Sequence, residues 1–440
     1  MSLNKNQNSS RIGLSTATCI IVANMIGTGV FTSLGFQVVD LRSGFTLLML
    51  WLVGGIFAIC GALTYSELGA AMPHSGGEYY YLSQIYHPII GFLSGWISVT
   101  VGFAAPIAAA AMALGAYFSS VFPLVPQLAI ALLVVIGVSL IHTRNLKLGS
   151  YFQLVFTILK VLLIVILIAC GLLLANGQGL GFLPSINDLD LIFSSPFAVS
   201  LVYVTYSYSG WNAAVYLASE VEEPEKNIPR SLITGTLIVI GLYLLLNFIF
   251  LYTTPLDSLA GELEVGYIAA GQIFGASGAK IMGLLISFGL ISSISSMVLA
   301  GPRVTQVIGE DIPLFKILAK KNHNGIPYYS ILLQLAIVII LLITSSFDRV
   351  ITYLGFTLTL SSFITVLGVF VHRFRYPQIR RPYKTWGYPI TPLIFLGISL
   401  WMLIFIFIDK PVESLAGIMT LAVGLIVYFV AAKNKLGWSA

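Results

Sequence analysis

The sequence predicts an all-α integral membrane protein with twelve transmembrane helices. Of its 440 residues 58% are apolar and only 9% are charged, and the mean hydropathy is +0.95. Soluble proteins carry about 25% charged residues, so a chain this poor in charge belongs in lipid. An apolar run of about 20 residues is long enough to cross the bilayer as a helix. Twelve candidate runs lie at 12–39, 44–71, 89–120, 126–141, 148–175, 196–220, 231–254, 280–307, 328–345, 350–372, 390–408 and 413–432.

The basic residues predict how the chain is oriented. With the N-terminus inside, seventeen Lys and Arg fall on inner segments and only four on outer ones, which are Arg42, Lys280, Arg349 and Lys410. Inner connections of membrane proteins carry the excess of basic residues. We therefore expect a plasma-membrane protein with both termini in the cytoplasm. The net charge of +5 then reflects topology and not nucleic-acid binding, and the basic stretch 373–384 is expected to face anionic lipid headgroups.

The first span contains an interruption near its middle. Ile26-Gly27-Thr28-Gly29-Val30 places two glycines where a membrane helix should be continuous. Backbone groups released from a helix at that depth need protein, water or a ligand as partners, so this break predicts a binding site. A close contact between helices through small residues is the alternative explanation of the two glycines.

Lys160 is the one basic residue far from both ends of a predicted span, since Lys280 and Arg303 belong to the ends of the span 280–307. It lies thirteen residues after Lys147, which is about 20 Å along a helix and close to the middle of the bilayer. A cation at that depth costs about 2.5–3.5 kcal/mol or more, so it should face the interior of the bundle and meet polar partners. Its position predicts a functional role and disfavours a lysine that reaches toward an interface.

The sixth span is interrupted as well, by the polar stretch Tyr203–Asn212 with Gly210 near its end. The first and sixth spans open two successive groups of five, and an odd number of spans makes the two groups inverted. Paired interruptions at matching positions indicate a substrate site near the midplane of a secondary transporter. The expected domains are a tail at 1–11, a ten-helix core at 12–372 with repeats 12–175 and 196–372, a basic loop at 373–389, two peripheral helices at 390–432 and a tail at 433–440.

Five stretches together carry a family resemblance. They are Gly27–Phe31, the pair Tyr65–Gly69 and Pro73–Tyr79, Tyr206–Asn212, Glu220–Arg230 and Arg381–Pro389. With these motifs in this order the chain resembles bacterial amino-acid permeases of the amino acid, polyamine and organocation superfamily, in the branch similar to the light chains of heteromeric transporters. The resemblance implies a leucine-transporter-type five-plus-five inverted repeat with broken helices 1 and 6, two outer helices, and alternating access.

The two breaks suit the two ends of a zwitterionic amino acid. The N–H groups of Thr28, Gly29 and Val30 begin a half-helix whose positive dipole end favours a carboxylate. Carbonyls near Tyr206 and Ser207 suit an ammonium. We therefore predict a substrate site formed by Ile26, Gly27, Thr28, Gly29, Val30, Tyr206, Ser207 and Tyr208. Tyr206 also falls where relatives carry an aromatic gate, whereas Tyr208 is equally explained as an interior aromatic residue.

The resemblance also assigns Lys160 to a lysine on the fifth helix, near the ion site of sodium-coupled relatives. Its ammonium is expected to replace or carry the coupling cation between the first and eighth helices. Ser292, Ser293 and Ser296 on the eighth span are the predicted acceptors, with helix packing by small residues as the alternative.

Acidic residues limit the expected cargo. Apart from Glu413, the first residue of the last predicted span, only Glu67 and Glu220 fall in predicted spans. Both lie near inner ends, where they are expected to pair with Arg11, Lys226 or Arg230 and to act as a gate or a plain structural link. Without a carboxylate at the midplane, neutral L-amino acids are favoured over cationic amino acids or polyamines, and sodium coupling is disfavoured. Proton symport and amino-acid exchange both stay open, as does a non-transporting sensor or channel-like protein on the same fold.

Other chemistry finds no support in the sequence. No phosphate-binding glycine loop, nucleophile elbow or Cys/His metal pattern is present, so neither an enzyme, a cofactor nor a metal site is expected. The three cysteines, Cys19, Cys60 and Cys170, lie inside predicted spans. Without an outer cysteine, we expect no obligatory protein partner; the expected partners are amino acids, membrane lipids and, for a symporter, protons.

Overall fold

The computed structural model describes residues 12–144, 147–323 and 325–433. In these ranges the chain is helical, apart from one isolated bridge between Ile12 and Val221. The predicted tail at 1–11 and all but the first residue of the tail predicted at 433–440 lie outside the described residues. The α-helices are α1 Leu14–Met25, α2 Gly29–Asp40, α3 Gly44–Ala71, α4 Glu78–Ile85, α5 Pro88–Ile97, α6 Ala104–Val121, α7 Gln127–His142, α8 Lys147–Leu174, α9 Ile186–Ile192, α10 Ser195–Ser207, α11 Pro224–Thr253, α12 Leu256–Leu259, α13 Val265–Asp311, α14 Tyr328–Thr344, α15 Phe347–Arg375, α16 Ile390–Asp409 and α17 Pro411–Lys433.

The helices agree with a membrane bundle. Among the described residues, nine helical segments are long and apolar enough to cross a bilayer, and a tenth is formed if α9 and α10, which meet at 66°, make one bent span. Two shorter apolar helices are α7 and α14. The all-helical membrane class is thus confirmed, whereas the exact number of twelve spans and the inverted repeat stay predictions. Below, "inner" and "outer" denote the sides that the basic residues predict.

Helix boundaries differ from expectation at two places. The seventh span starts at Pro224 and not at 231, because proline at the first helical position needs no N–H partner and has a preset φ. The eighth span belongs to the longer α13, in which Gly275 has φ 73 and separates a short outer helix from the span itself. A residue with a side chain would rarely adopt that φ.

Both interruptions are present in the described backbone. Helix α1 ends at Met25 and α2 begins at Gly29, with Ile26 at φ −76 and ψ 86, outside the helical region. Helix α10 ends at Ser207, and the chain turns at Gly210, with φ +96, before the 3₁₀ segment Ala213–Glu220. The half-helices are therefore separated by a few extended or turned residues in each case.

The helices that surround the breaks form the buried core. Helix α3 packs on α11, α6 on α13, α1 on α11, and α2 on α10. Helices α16 and α17 are the least buried spans, with 28% and 22% of their span windows buried against 61% for α3. Such exposure suits helices at the periphery of a bundle in lipid.

Candidate functional site

The first break exposes backbone donors at the start of α2. The N–H groups of Thr28, Gly29 and Val30 stand at the start of α2, where no earlier turn of this helix supplies a carbonyl acceptor. Among the described residues, no backbone carbonyl accepts them. These donors stand at the positive end of a helix that is buried in the bundle. An anionic group of a ligand is a suitable partner for them.

The second break lies directly against the first. A Cβ atom placed on Gly29 would lie 2.3 Å from Ser207 Oγ and 2.6 Å from Ser207 Cα, so only glycine allows this approach. Ser33 Oγ lies 3.0 Å from Ser207 Oγ and donates to the Tyr203 carbonyl at 3.2 Å. The outer half-helices α2 and α10 are thus joined by short polar contacts.

The inner sides of the breaks also meet closely. Gly210 packs on the backbone of Asn24, where a Cβ atom would lie 2.9 Å from the Asn24 carbonyl carbon. The backbone N–H of Ile12 donates to the Glu220 carbonyl, and that of Glu222 donates to the Ile12 carbonyl. The start of α1 is therefore bound to the end of the 3₁₀ segment.

A small cavity remains between the two breaks. The centres of water-sized spheres can occupy about 30 Å³ of it, which is room for about two waters. A ligand of more than a few atoms would therefore need the half-helices to separate before it enters. The cavity is lined by Ala23, Asn24, Met25, Gly27, Thr28, Gly29, Pro106, Ala110, Tyr206, Ser209, Ser293, Ser296 and Met297.

The predicted site residues divide into two groups. Gly27, Thr28, Gly29 and Tyr206 line the cavity, whereas Ile26, Val30, Ser207 and Tyr208 are buried around it. The Tyr208 hydroxyl donates to the Trp51 carbonyl at 3.3 Å, and its ring packs against Trp51 and Tyr243. Tyr208 is thus an interior aromatic residue in this structure, which is the alternative that the sequence left open.

Lys160 joins the first break to the eighth span. Its Nζ donates to the Ile26 carbonyl at 2.7 Å and to Ser293 Oγ at 3.1 Å. The side chain is 6% exposed and passes beside Gly289 of α13, where a Cβ atom would lie 3.2 Å from Lys160 Cγ. The ammonium therefore holds the carbonyl that the broken helix leaves without an α-helical donor.

The other predicted serines have different surroundings. Ser296 lines the cavity and donates to the Ser293 carbonyl at 2.9 Å. Ser292 is buried, and its hydroxyl has no hydrogen-bond partner among the described residues. Of the three, Ser293 alone contacts the lysine.

Two tyrosines that the sequence analysis did not single out hold the ends of the broken helix. The Tyr243 hydroxyl donates to the Met25 carbonyl at 2.6 Å, and the Tyr117 hydroxyl donates to the Phe31 carbonyl at 2.6 Å. Both side chains are fully buried. A buried tyrosine hydroxyl needs a polar partner. A tyrosine in an apolar span therefore predicts a hydrogen bond to a polar group inside the bundle.

Aromatic rings pack against one another between the outer half-helices α2 and α10 and helix α15. Phe36 of α2 stacks between Tyr203 of α10 and Phe347 of α15, with ring centroids 5.3 and 5.6 Å apart. The Tyr203 hydroxyl donates to Asp348, which also pairs with Lys410. These contacts connect both broken helices to α15.

The inner acidic residues behave differently from expectation. Glu67 accepts two hydrogen bonds from Arg373, at 2.8 and 2.6 Å, and lies 3.6 Å from Arg381, so its predicted pairing with Lys226 or Arg230 is wrong. Arg11 lies outside the described residues. Thr385 adds its N–H and hydroxyl to Glu67, both at 2.8 Å. Thus part of the basic stretch is held by the protein.

Glu220 does not join this cluster. Its side chain is exposed, and it forms no ion pair among the described residues. Lys226 instead pairs with Glu223. The expected pairing of Glu220 with Lys226 or Arg230 is therefore wrong, because the 3₁₀ segment turns its last residue outward, whereas the pairing with Arg11 lies outside the described residues.

Fold and site together define the class of protein. Two interrupted helices face each other across a small polar cavity inside an apolar helical bundle, an arrangement found in secondary transporters. The family model described as "Amino acid permease" matches residues 12–431, and the chain belongs to this family. The protein is therefore an amino-acid permease and not an enzyme, as the sequence motifs predicted.

Relatives extend over nearly the whole chain. The b(0,+)-type amino acid transporter 1 of Mus musculus is 29% identical, over 97% of this chain and 89% of the relative. The serine/threonine exchanger SteT of Bacillus subtilis (strain 168) is 27% identical, over 96% of this chain and 97% of the relative. The large neutral amino acids transporter small subunit 2 of Mus musculus is 28% identical, over 95% and 80% of the two chains.

Proposed function

We propose that this permease is a sodium-independent exchanger of neutral L-amino acids that works by alternating access. The contact of Lys160 with Ile26 and Ser293 carries the proposal. It puts a fixed ammonium between the first break and the eighth span, at distances of 2.7 and 3.1 Å. A bound sodium ion is then not needed to join these two elements.

The chemistry of the cavity supports a neutral cargo. The residues that line it, among those described, carry neither a carboxylate nor a cationic side chain. A cationic side chain of a substrate would enter this site without a counter-charge, which is costly away from water. We propose that the substrate carboxylate meets the N–H groups of Thr28, Gly29 and Val30, while its ammonium meets the carbonyls at the end of α10.

Exchange is favoured by the name of one relative. SteT, which aligns over 97% of its own length, is called a serine/threonine exchanger. Proton symport is the competing mode, and in that mode the Lys160 ammonium would release its proton during the cycle.

Transport into proteoliposomes tests the proposal. Labelled neutral amino acids are supplied outside, with or without unlabelled amino acid inside, and with or without an inward proton gradient or sodium. We expect uptake only into vesicles that contain amino acid, with no response to sodium. Gradient-driven uptake into empty vesicles would establish symport instead, and absence of any uptake would favour a sensor on the same fold.

We further propose that the chain acts alone in the plasma membrane with both termini in the cytoplasm. One relative is named a small subunit, but SteT carries no such term in its name. Cys19, Cys60 and Cys170 lie within the helices α1, α3 and α8, so none of them stands on an outer loop. To test this, the chain is expressed without a second protein and purified. Its exchange activity is then measured, together with its mass in solution by light scattering.

A further inference from the structure

Glu78 is a buried carboxylate that neither the proposed site nor the inner ion pairs use. It begins α4, the short helix between α3 and α5, and it is 6% exposed. Gly76 and Gly77, with φ of 120 and 55, turn the chain so that this side chain points into the protein. The residue looks like an ordinary loop glutamate in the sequence.

Neutral donors surround the carboxylate. Tyr65 of α3 donates to Oε1 at 2.5 Å, and Ser361 of α15 donates to Oε2 at 2.8 Å. Ser362 and Asn212 make longer contacts of 3.4 Å with Oε1. Asn212 belongs to the turn of the broken sixth span, so Glu78 connects that break to two neighbouring helices.

Other polar groups face Glu78 from the neighbouring elements. Tyr216 of the 3₁₀ segment is the second titratable side chain that faces it, besides Tyr65. Helix α5 contributes the Ser94 hydroxyl. At the inner ends of the adjoining helices, Glu67 of α3 and Arg373 of α15 pair with each other, and Arg375 of α15 donates to the Ile85 carbonyl. No Lys, Arg or His within the described part of the chain forms an ion pair with Glu78.

We propose that Glu78 is a proton-binding site that controls how the inner side of the permease opens. An ionised carboxylate has only acceptors, and it holds the hydroxyl and amide donors of α3, α15 and the sixth-span break together. Protonation turns one carboxyl oxygen into a donor, so at least one of these links loses its acceptor. Acid therefore loosens the contact between α4 and the break, and the inner half-helix separates more readily.

Burial favours the protonated form of the Glu78 carboxyl. A charge without a cationic partner is unfavourable away from water, and burial raises the pKa of the Glu78 carboxyl above its ordinary value. The hydroxyl donors act in the opposite direction, because they stabilise the ionised form. Burial therefore favours the protonated carboxyl and the hydrogen bonds favour the ionised one, and this opposition suits a group that gains and loses a proton.

The inference depends on the proposed exchange activity, and its test separates the two. Exchange of labelled neutral amino acid is measured from about pH 5.5 to about pH 8 for wild type, Glu78→Gln, Glu78→Asp and the exposed-site control Glu225→Gln. Wild type and the control should be faster in acid by roughly threefold or more. Glu78→Gln, which resembles the protonated acid, should stay fast and vary less than twofold, whereas Glu78→Asp should restore the dependence.

Two further results keep the test decisive. Ser361→Ala removes a donor to the ionised carboxylate, so the midpoint of the pH profile should move to higher pH. Infrared spectra should show a protonated carboxyl band that grows in acid, and the acid-minus-neutral difference should be smaller in Glu78→Gln than in wild type by the contribution of one carboxyl group. An unchanged pH profile in Glu78→Gln and Ser361→Ala would overturn the role of Glu78 while leaving exchange intact; wild type without exchange at any pH would overturn the proposed function itself.

Discussion

The Lys160 ammonium donates a 2.7 Å hydrogen bond to the backbone carbonyl of Ile26. This carbonyl belongs to the first residue after α1, which ends at Met25, and no backbone N–H among the described residues donates to it. The same ammonium reaches Ser293 of α13 at 3.1 Å. One side chain on α8 therefore links the broken helix to the helix that borders the cavity on the other side, and any movement of the break must stretch this link.

Replacing Lys160 by methionine should abolish most of the transport. The substitution keeps the length of the side chain but leaves the Ile26 carbonyl and Ser293 without their donor. A hydrogen bond from a charged group contributes about 1.5–3 kcal/mol, so exchange should fall at least about tenfold. Lys160→Ala should lose at least as much. Initial rates in proteoliposomes, normalised to the amount of inserted protein, provide the measurement.

An exposed lysine provides the control for this prediction. Lys280 lies at the outer part of α13 and is exposed, so Lys280→Met should exchange at the wild-type rate. Both variants should elute as single, folded species from a sizing column in detergent. Wild-type exchange in the Lys160→Met protein would remove the ammonium from the mechanism.

The two glycines of the first break should respond differently to alanine. A Cβ atom on Gly29 would collide with Ser207 at 2.3 Å, but one on Gly27 would meet nothing closer than the Met25 carbonyl at 4.0 Å. Gly29→Ala should therefore lower the stability, by about 1–3 kcal/mol as in other overpacked sites. Gly27→Ala should fold normally and lose substrate affinity, because its methyl group enters the cavity.

Thermal unfolding with and without amino acid distinguishes the two effects. Gly29→Ala should unfold at a lower temperature, whereas Gly27→Ala should keep the wild-type temperature but lose the rise that substrate produces. Gly397→Ala on the peripheral helix α16 is a matched control, since nothing lies within 4 Å of the added Cβ. It should be neutral or slightly stabilising. Full substrate protection in Gly27→Ala would argue against a carboxylate site at this break.

The ion pair between Glu67 and Arg373 should stabilise the inner end of the bundle. The Glu67 side chain is 1% exposed and that of Arg373 23% exposed, so removing the charge of Glu67 leaves two arginines without their partner. Loss of one member of a buried pair costs about 3–5 kcal/mol, and partial exposure of Arg373 reduces this to about 2–4 kcal/mol. Glu67→Gln should therefore unfold at a clearly lower temperature in detergent.

An exposed ion pair gives the comparison. Glu223 and Lys226 have side chains 67% and 65% exposed, and such pairs contribute about 0–1 kcal/mol. Glu223→Gln should leave the unfolding temperature nearly unchanged. Equal effects of the two substitutions would mean that Arg373 and Arg381 find other partners when Glu67 is neutral.

The sequence predicted local features better than partners. The Gly27-Thr28-Gly29 break and the depth of Lys160 follow from residue types that a membrane helix tolerates only when polar partners are supplied. Each feature could therefore be predicted from its own segment of the sequence. Glu78 was missed because its burial depends on a turn at Gly76 and Gly77 and on three other elements. The partner of Glu67 lies 306 residues away, and no local pattern selects Arg373 among the many basic residues of the inner side.

A disulfide between positions 33 and 207 should stop transport reversibly. The Ser33 and Ser207 hydroxyl oxygens are 3.0 Å apart, and sulfur atoms in their places need only a small shift to reach the disulfide length of about 2.05 Å. This bond would tie α2 to α10 and prevent the outer half-helices from separating.

The substitutions Ser33→Cys and Ser207→Cys are made together in a chain whose Cys19, Cys60 and Cys170 are replaced by serine, so that no other thiol can pair. Exchange should fall to background on oxidation and return when a reductant is added. In either single-cysteine chain, the exchange rate should be the same before and after both treatments. If the oxidised double variant is shown by mass spectrometry to be cross-linked and still exchanges at the reduced rate, substrate does not pass between α2 and α10, and the proposed movement of the two broken helices is wrong.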